Sequence, residues 1–200
     1  FAFYYALLFC CNQAHFHVSC YSRSSVQDGF TEQIKGSVDA FIDVSSLSFE
    51  ETAQRIREDG IDILVDLAGH SAGSGLPVLA WRPAPVQISG LGYMATTGLP
   101  AVDYFLTDAM VDPPGEHEGF FTEKLLYLPS QFSYTGRNDV PEPTGAPCRV
   151  REYVVFGVFN RYQKITDELL EDWRSVLEQV PGAYLLLKSE ELGSDSLVDL

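Results

Sequence analysis

The sequence predicts an α/β fold built on a parallel sheet, and three observations carry that prediction. Strand-like apolar runs alternate along the chain with helix-like segments. The run Ile61-Asp-Ile-Leu-Val-Asp-Leu67 is apolar enough for a strand covered on both faces of a parallel sheet. Glycine-containing loops follow the strand-like runs at their C-terminal ends, where open α/β sheets place their ligands.

The elements follow in order. The opening run, Phe1-Ala-Phe-Tyr-Tyr-Ala-Leu-Leu-Phe-Cys-Cys11, has no basic segment ahead of it. It gives way to Asn12, Gln13 and His15 too soon to cross a bilayer, so a buried helix is expected. Phe16-His-Val-Ser-Cys-Tyr21 and Ala40-Phe-Ile-Asp-Val44 read as strands. Ser48 with Glu51 forms a capping box that opens a helix through Arg57, and Gly60 ends it. After the Ile61–Leu67 strand, a short helix over Leu76 to Trp81 stops at Arg82-Pro83-Ala84-Pro85, because proline cannot continue it. Val86-Gln-Ile-Ser-Gly-Leu91, Asp103-Tyr-Phe-Leu-Thr-Asp108 and Leu125-Leu-Tyr-Leu128 are the next strands. The segment Ser130 to Val150 contains Pro141, Pro143 and Pro147 and reads as a linker or irregular excursion. Beyond it Tyr153–Phe159 is a strand, Thr166 caps a helix with Leu169, Leu170, Trp173, Val176 and Leu177 at helical spacing, and Ala183–Lys188 is another buried strand.

The expected organisation is one Rossmann-like domain over residues 1–129, a linker over 130–150, and the start of a second such domain over 151–200. The chain opens inside an apolar run and its only methionines are Met94 and Met110, so a piece of a longer protein is expected.

Composition narrows the partners. Lys plus Arg number 13 against 28 Asp plus Glu, a formal charge of −15 that repels nucleic acid and anionic membrane alike. An anionic ligand has to be held by local cations and helix N-termini. The four cysteines, Cys10, Cys11, Cys20 and Cys148, form no CxxC pair and are expected to be free thiols in a reducing cytoplasm.

Four loops carry the candidate chemistry: Asp66-Leu-Ala-Gly-His-Ser-Ala-Gly73, Leu91-Gly-Tyr-Met-Ala-Thr-Thr-Gly-Leu-Pro100, Thr107-Asp-Ala-Met-Val-Asp-Pro-Pro-Gly115 and Phe159-Asn-Arg-Tyr-Gln-Lys-Ile165. Read alone, the second is an ordinary Rossmann turn and Lys164 a solvated lysine at a helix start. Asp66, Asp103 and Asp108 sit at strand ends, where carboxylates bond loop N–H groups more often than metal. His15 and His17 share one face of a strand start and lack a third metal ligand nearby. His117, beside Pro113-Pro114-Gly115, is expected in solvent.

Taken together, these loops resemble the protein O-GlcNAc transferase family, which includes SPINDLY-type protein O-fucosyltransferases and bacterial relatives. The phrases that carry the likeness are Ile63-Leu-Val-Asp-Leu-Ala-Gly-His70, Arg82-Pro-Ala-Pro-Val-Gln87, Leu91-Gly-Tyr93 with Thr96-Thr-Gly-Leu-Pro100, Asp103-Tyr104, Thr107-Asp108, and Phe156-Gly-Val-Phe-Asn160 with Lys164. The resemblance implies a GT-B architecture of two Rossmann-like halves with a nucleotide sugar in the cleft between them. It implies metal-independent, inverting transfer to a protein Ser or Thr, most simply of N-acetylglucosamine from UDP-GlcNAc, with no other cofactor. Related O-fucosyl or asparagine N-glycosyl transfer, and a catalytically dead binding module, are the alternatives. The acceptors are proteins, and tetratricopeptide repeats are expected upstream.

The resemblance also assigns residues. Lys164 matches a diphosphate-contacting lysine, the catalytic cation for the leaving group. Gly92, Tyr93, Met94, Thr96, Thr97, Asn160 and Arg161 match donor-binding positions. His70 ends a strand where a general base could sit, but the animal enzymes usually have tyrosine there, so it is expected to line or orient the cleft; no metal site is implied. Met94 stands where the family commonly has proline, and Arg161 where it often has glutamine or asparagine. The family's histidine-bearing catalytic loop is expected upstream of Phe1, so this chain alone is expected to be inactive.

Overall fold

The computed structural model describes residue 12 and residues 14–26, 28–131 and 142–189. The opening run through Cys11, and with it the expected first helix, lies outside the described residues. The chain divides into two compact units, Phe1–Asn138 and Asp139–Leu200.

The first unit begins with a turn, where the Asn12 carbonyl accepts from His15 N at 2.9 Å and Phe16 N at 3.1 Å. Strand β1 (Ser19–Ser22) therefore starts later than expected. His15 and His17 precede it and share no strand face, which corrects the pairing read from the sequence. Helix α1 (Gly29–Lys35) was not expected. Its signal is a capping box in which Asp28 Oδ1 accepts from Thr31 N at 2.9 Å and Thr31 Oγ1 accepts from Asp28 N at 3.3 Å, with threonine standing where glutamate is usual. Strand β2 (Ala40–Asp43) runs parallel to β1, with Ser19 opposite Ala40.

Helix α2 (Phe49–Glu58) opens as the sequence predicts: Ser48 Oγ accepts from Glu51 N at 3.2 Å and Glu51 Oε2 from Ser48 N at 2.8 Å. It buries Thr52, Ala53 and Ile56, one stripe at helical spacing. Ala53 and Ile56 form a core with Val78, against which Tyr21, Ile61 and Leu64 pack. Burying Ile56 contributes about 2 kcal/mol. Gly60, at φ +68°, turns the chain out of the helix.

Strands β3 (Ile63–Asp66), β4 (Val86–Gly90), β5 (Tyr104–Thr107) and β6 (Lys124–Tyr127) form a parallel sheet in that order. Helix α3 (Leu76–Leu79) connects β3 to β4. The links from β4 to β5 and from β5 to β6 contain no α-helix, only loops and a 3-10 turn at Glu118–Phe120. Ile63, at the start of edge strand β3, is 52% exposed, so the expected cover on both faces does not reach it. Inside, Phe105 is buried and meets the Phe121 ring at 4.9 Å. Gly90 packs on β5 so closely that an added Cβ would lie 2.7 Å from Leu106 Cβ.

The phrase Arg82–Gln87 is structural. Arg82 donates to the carbonyls of Ala101 at 2.7 Å and Pro85 at 3.1 Å and to Asp103 Oδ1 at 2.9 Å. Asp103 Oδ2 accepts from Gln87 N at 2.8 Å, and buried Gln87 Nε2 donates to Leu79 O at 2.9 Å and Ala101 O at 2.7 Å. This latch fixes where β4 begins and where the loop after it returns.

The second unit holds a βαβ arrangement: β7 (Val155–Val158), α4 (Asp167–Gln179) and β8 (Tyr184–Leu187). The two strands are parallel, Val155 opposite Tyr184, and Leu185 is buried. Thr166 caps α4, its hydroxyl accepting from Leu169 N at 3.3 Å. The free cysteines among the described residues are Cys20 and Cys148.

Candidate functional site

Four parallel strands point the same way, so the loops after β3, β4 and β5 emerge at one edge of the sheet. Buried carboxylates anchor them. Asp66 Oδ2 accepts from Gly69 N at 2.9 Å and from Ser89 Oγ at 2.7 Å, tying the first loop to β4. Asp108 accepts from Met110 N at 2.9 Å, Val111 N at 3.0 Å and Gln131 N at 2.7 Å. The Gln131 amide foremost, then those of Val111 and Met110, holds its carboxyl below the ordinary aspartate range. These aspartates bond loop N–H groups, as their strand-end positions suggested. Among the described residues no three His, Cys, Asp or Glu side chains converge as metal ligands.

The second loop is held by Glu123, which the sequence reading passed over. Glu123 is 5% exposed, and its Oε1 accepts from Thr97 N at 2.8 Å and from the Thr97 hydroxyl. Its Oε2 accepts from Thr96 Oγ1 at 2.7 Å. Burial pushes the Glu123 carboxyl up, but hydrogen bonds from Thr97, Thr96 and backbone amides outweigh it, and the group stays below the ordinary glutamate value. Thr97, 4% exposed, is therefore a support of the loop and does not present its hydroxyl at the surface. Thr96 is half-buried and likewise commits its hydroxyl, which also accepts from Gly98 N at 3.1 Å.

Above this support stand the exposed residues. His70 Nε2 lies 3.0 Å from the Thr96 carbonyl, and its ring meets Tyr93 edge-on, 5.3 Å between centroids. Gly69, at φ +53°, makes the approach of the two loops possible, because an added Cβ would lie 2.5 Å from Tyr93 Cβ. Tyr93 is 41% and Met94 46% exposed, and Gly92 is half-buried with its N–H turned back to the Gly90 carbonyl at 2.9 Å. Leu91 holds φ +69°, a conformation costly for a branched side chain, at the point where strand becomes loop. His70, Gly92, Tyr93, Met94 and Thr96 are thus brought together.

The third loop differs from expectation. His117 is half-buried and its Nδ1 lies 2.9 Å from Asp112 Oδ1, while Asp112 Oδ2 accepts from the Thr107 hydroxyl. It braces the loop and does not stand free in solvent.

In the second unit, Asn160, Arg161 and Lys164 follow β7 through a 3-10 turn, Tyr162–Lys164, just ahead of α4. All three are exposed. Asn160 Oδ1 accepts from Arg161 N at 3.0 Å. Among the described residues neither Arg161 nor Lys164 forms an ion pair.

The family model described as "Glycosyl transferase family 41" matches residues 8–140. The chain belongs to that family. It is 36% identical over 189 residues to a protein of Petunia hybrida named "Probable UDP-N-acetylglucosamine--peptide N-acetylglucosaminyltransferase SPINDLY", covering 92% of this chain and 20% of that protein. A protein of the same name from Solanum lycopersicum is 40% identical over 156 residues, 78% of this chain and 17% of that protein. The chain therefore spans about a fifth of the length of these curated relatives. Among solved structures, a mutant of the Thermobaculum terrenum O-GlcNAc transferase superposes with a TM-score of 0.82 at 34% identity, over 97% of this chain and 37% of that one. The fold class is accordingly the one the sequence predicts, α/β of the GT-B type.

Within this family member, two kinds of residue escaped sequence reasoning. Glu123 looks like any charged residue before a strand, and only the Thr96-Thr97 pair hints that a nearby loop needs an acceptor. His117 and Asp112 are five residues apart across two prolines, a spacing with no regular-structure signature.

Proposed function

We propose that this chain is part of the catalytic region of a glycosyltransferase that moves a sugar from a nucleotide donor, UDP-GlcNAc in the simplest case, to a Ser or Thr hydroxyl of a protein. The observation that carries the reading is the family 41 match over residues 8–140, joined to relatives named as UDP-N-acetylglucosamine--peptide N-acetylglucosaminyltransferases. The geometry supports it in two ways. The loop after β4 offers an aromatic and thioether surface, Tyr93 and Met94, of the kind that packs on a sugar ring. The turn after β7 offers two exposed cations, Arg161 and Lys164, suited to a diphosphate. Departure of a nucleoside diphosphate builds negative charge, and a lysine already in place neutralises it without reorganisation. Transfer is metal-independent and inverting, the protein is cytoplasmic, and tetratricopeptide repeats select its acceptors upstream.

The full-length protein is to be incubated with acceptor protein and UDP-GlcNAc, or with GDP-fucose, in excess EDTA, and products mapped by mass spectrometry. N-acetylhexosamine on Ser or Thr is the expected product, with no stimulation by manganese. Absence of transfer from either donor, or activity lost to EDTA and restored by manganese, would overturn the reading. The 200-residue chain alone is expected to be inactive.

A further inference from the structure

We propose that His70 accepts, at Nδ1, a hydrogen bond from a hydroxyl of bound substrate, its ring fixed from behind by the Thr96 carbonyl. The inference rests on the glycosyltransferase reading and names the group that meets a hydroxyl within it.

The argument begins with the partner of the other ring nitrogen. His70 Nε2 lies 3.0 Å from the Thr96 carbonyl oxygen. A carbonyl only accepts, so Nε2 carries the proton, and in the neutral ring Nδ1 carries the lone pair. Nδ1 meets no hydrogen-bond partner among the described residues, and the side chain is exposed. A half-turn of the ring would put Cε1 in the place of Nε2 and lose the bond to the Thr96 carbonyl, so the observed orientation is the bonded one. Tyr93 stands against it edge-on, with an interplanar angle of 71°, and Tyr93 is itself seated on Gly69, where no side chain fits. The Thr96 carbonyl is fixed in turn, because Thr96 Oγ1 donates to Glu123 Oε2 at 2.7 Å and Thr97 N donates to Glu123 Oε1 at 2.8 Å.

A buried carboxylate therefore holds a loop, the loop presents a carbonyl, and the carbonyl sets a tautomer. The outcome is a single exposed acceptor beside an aromatic wall. Such an acceptor favours a hydroxyl and disfavours a carbonyl or ether oxygen in the same place. Two sources of hydroxyl fit this chemistry, the sugar of the donor and the acceptor Ser or Thr. Glu123 acts only through Thr96 and is a positioning residue.

Two amide variants of the full-length protein separate the ring's two nitrogens. In His70→Gln the amide reaches the Nε2 position and can still donate to Thr96, but nothing accepts at the Nδ1 position. In His70→Asn the amide oxygen stands near the Nδ1 position and accepts, while the link to Thr96 is lost. UDP-GlcNAc, GDP-fucose and the free nucleoside diphosphates are to be titrated by calorimetry without acceptor, and acceptor-peptide KM and kcat measured separately. Thermal unfolding confirms that each variant is folded, as substitution of an exposed side chain should allow.

Loss of one such hydrogen bond is expected to cost about tenfold in His70→Gln, with partial recovery in His70→Asn. If the hydroxyl is the sugar's, the affinity for the nucleotide sugar falls and that for the free diphosphate does not. If it is the acceptor's, peptide KM rises with donor affinity unchanged. Equal behaviour of the two variants, whether both damaged or both wild-type-like, overturns the proposal while leaving the functional reading intact. A wild-type protein that binds neither nucleotide sugar overturns that reading, and the proposal with it.

Discussion

In the loops that follow β3, β4 and β5, polar side chains are spent on the protein itself. Asp66, Asp108, Asp112 and Glu123 are buried, and each accepts from a neighbouring hydroxyl, amide or imidazole. In the turn after β7 the arrangement is reversed: Asn160, Arg161 and Lys164 are exposed, and the turn is held by backbone bonds such as Lys164 N to Arg161 O at 3.0 Å. The first region is rigid before any ligand arrives, because moving it would strip buried carboxylates of their donors. The second keeps its charges solvated and available, in a chain whose net charge is −15. Shape recognition suits the first arrangement and neutralisation of a developing anion suits the second.

The sharpest way to break this contrast is Lys164→Ala in the full-length protein. If Lys164 meets charge that grows only in the transition state, turnover falls by about 100-fold, equivalent to about 3 kcal/mol, with acceptor KM little changed. An unchanged kcat in a folded variant would remove Lys164 from the mechanism. Stability should hardly move, since an exposed lysine without an ion pair among the described residues contributes little to folding.

Glu123→Ala should do the opposite, acting on stability first. It leaves the buried Thr97 amide and hydroxyl without their acceptor and takes one partner from the half-buried Thr96 hydroxyl, at a cost of about 3 kcal/mol measured by denaturant unfolding. The same carboxylate gives a pH dependence of known sign. Its folded pKa lies below the unfolded value, because hydrogen bonds to the ionised form outweigh burial. Its stabilisation is therefore complete above the ordinary glutamate value of about 4.3 and is lost as pH falls through that value toward the folded one. The stability gap between wild type and Glu123→Gln should accordingly narrow on acidification below about pH 4.3. A gap that stays constant through that range would mean that the carboxylate titrates alike in the folded and unfolded protein, and a gap that widens would mean that it is held protonated in the fold.

The two regions were also unequally legible from sequence. Strands β3 to β6, helix α2 and the Thr166 cap follow from local pattern, because apolar runs, capping boxes and prolines act within a few residues. Lys164 stood out only through a family resemblance. The supports were hidden because they join distant positions: Glu123 lies 26 residues from Thr97, and Arg82 lies 21 from Asp103. Such pairs leave no periodicity to read. Helix α1 escaped for a different reason, since its box uses Thr31 and it buries no residue to mark a face. Conversely, Arg82–Gln87 was legible as part of a resemblance, and its role proved to be holding the sheet together.

Gly69→Ala probes the junction between the first two loops without touching a charge. The new Cβ would lie 2.5 Å from Tyr93 Cβ, at a residue whose φ of +53° already disfavours any side chain. We expect a loss of about 2 kcal/mol in unfolding free energy, from overpacking and backbone strain together. Tyr93 must move to relieve the clash, so His70 loses the wall that orients it. Nucleotide-sugar affinity should weaken as well. Wild-type stability in this variant would show that the loops are looser than a preorganised wall allows.

The smallest effect is expected from Thr166→Ala, at the base of the solvated turn. The Thr166 hydroxyl accepts from Leu169 N at 3.3 Å and is the side-chain cap of α4, whose first turn begins three residues after Lys164. Removing a threonine cap costs about 1 kcal/mol. That loss should appear as fraying of the first turn in amide hydrogen exchange, because α4 buries no residue completely and its end is free to open. If the cations after β7 work by charge and need little fixed geometry, turnover should fall only a few-fold, far less than in Lys164→Ala. A loss of kcat matching that of Lys164→Ala would instead show that the turn after β7 is as dependent on its supports as the loops after β3 and β4. The division of labour between a rigid wall and solvated cations would then have to be given up.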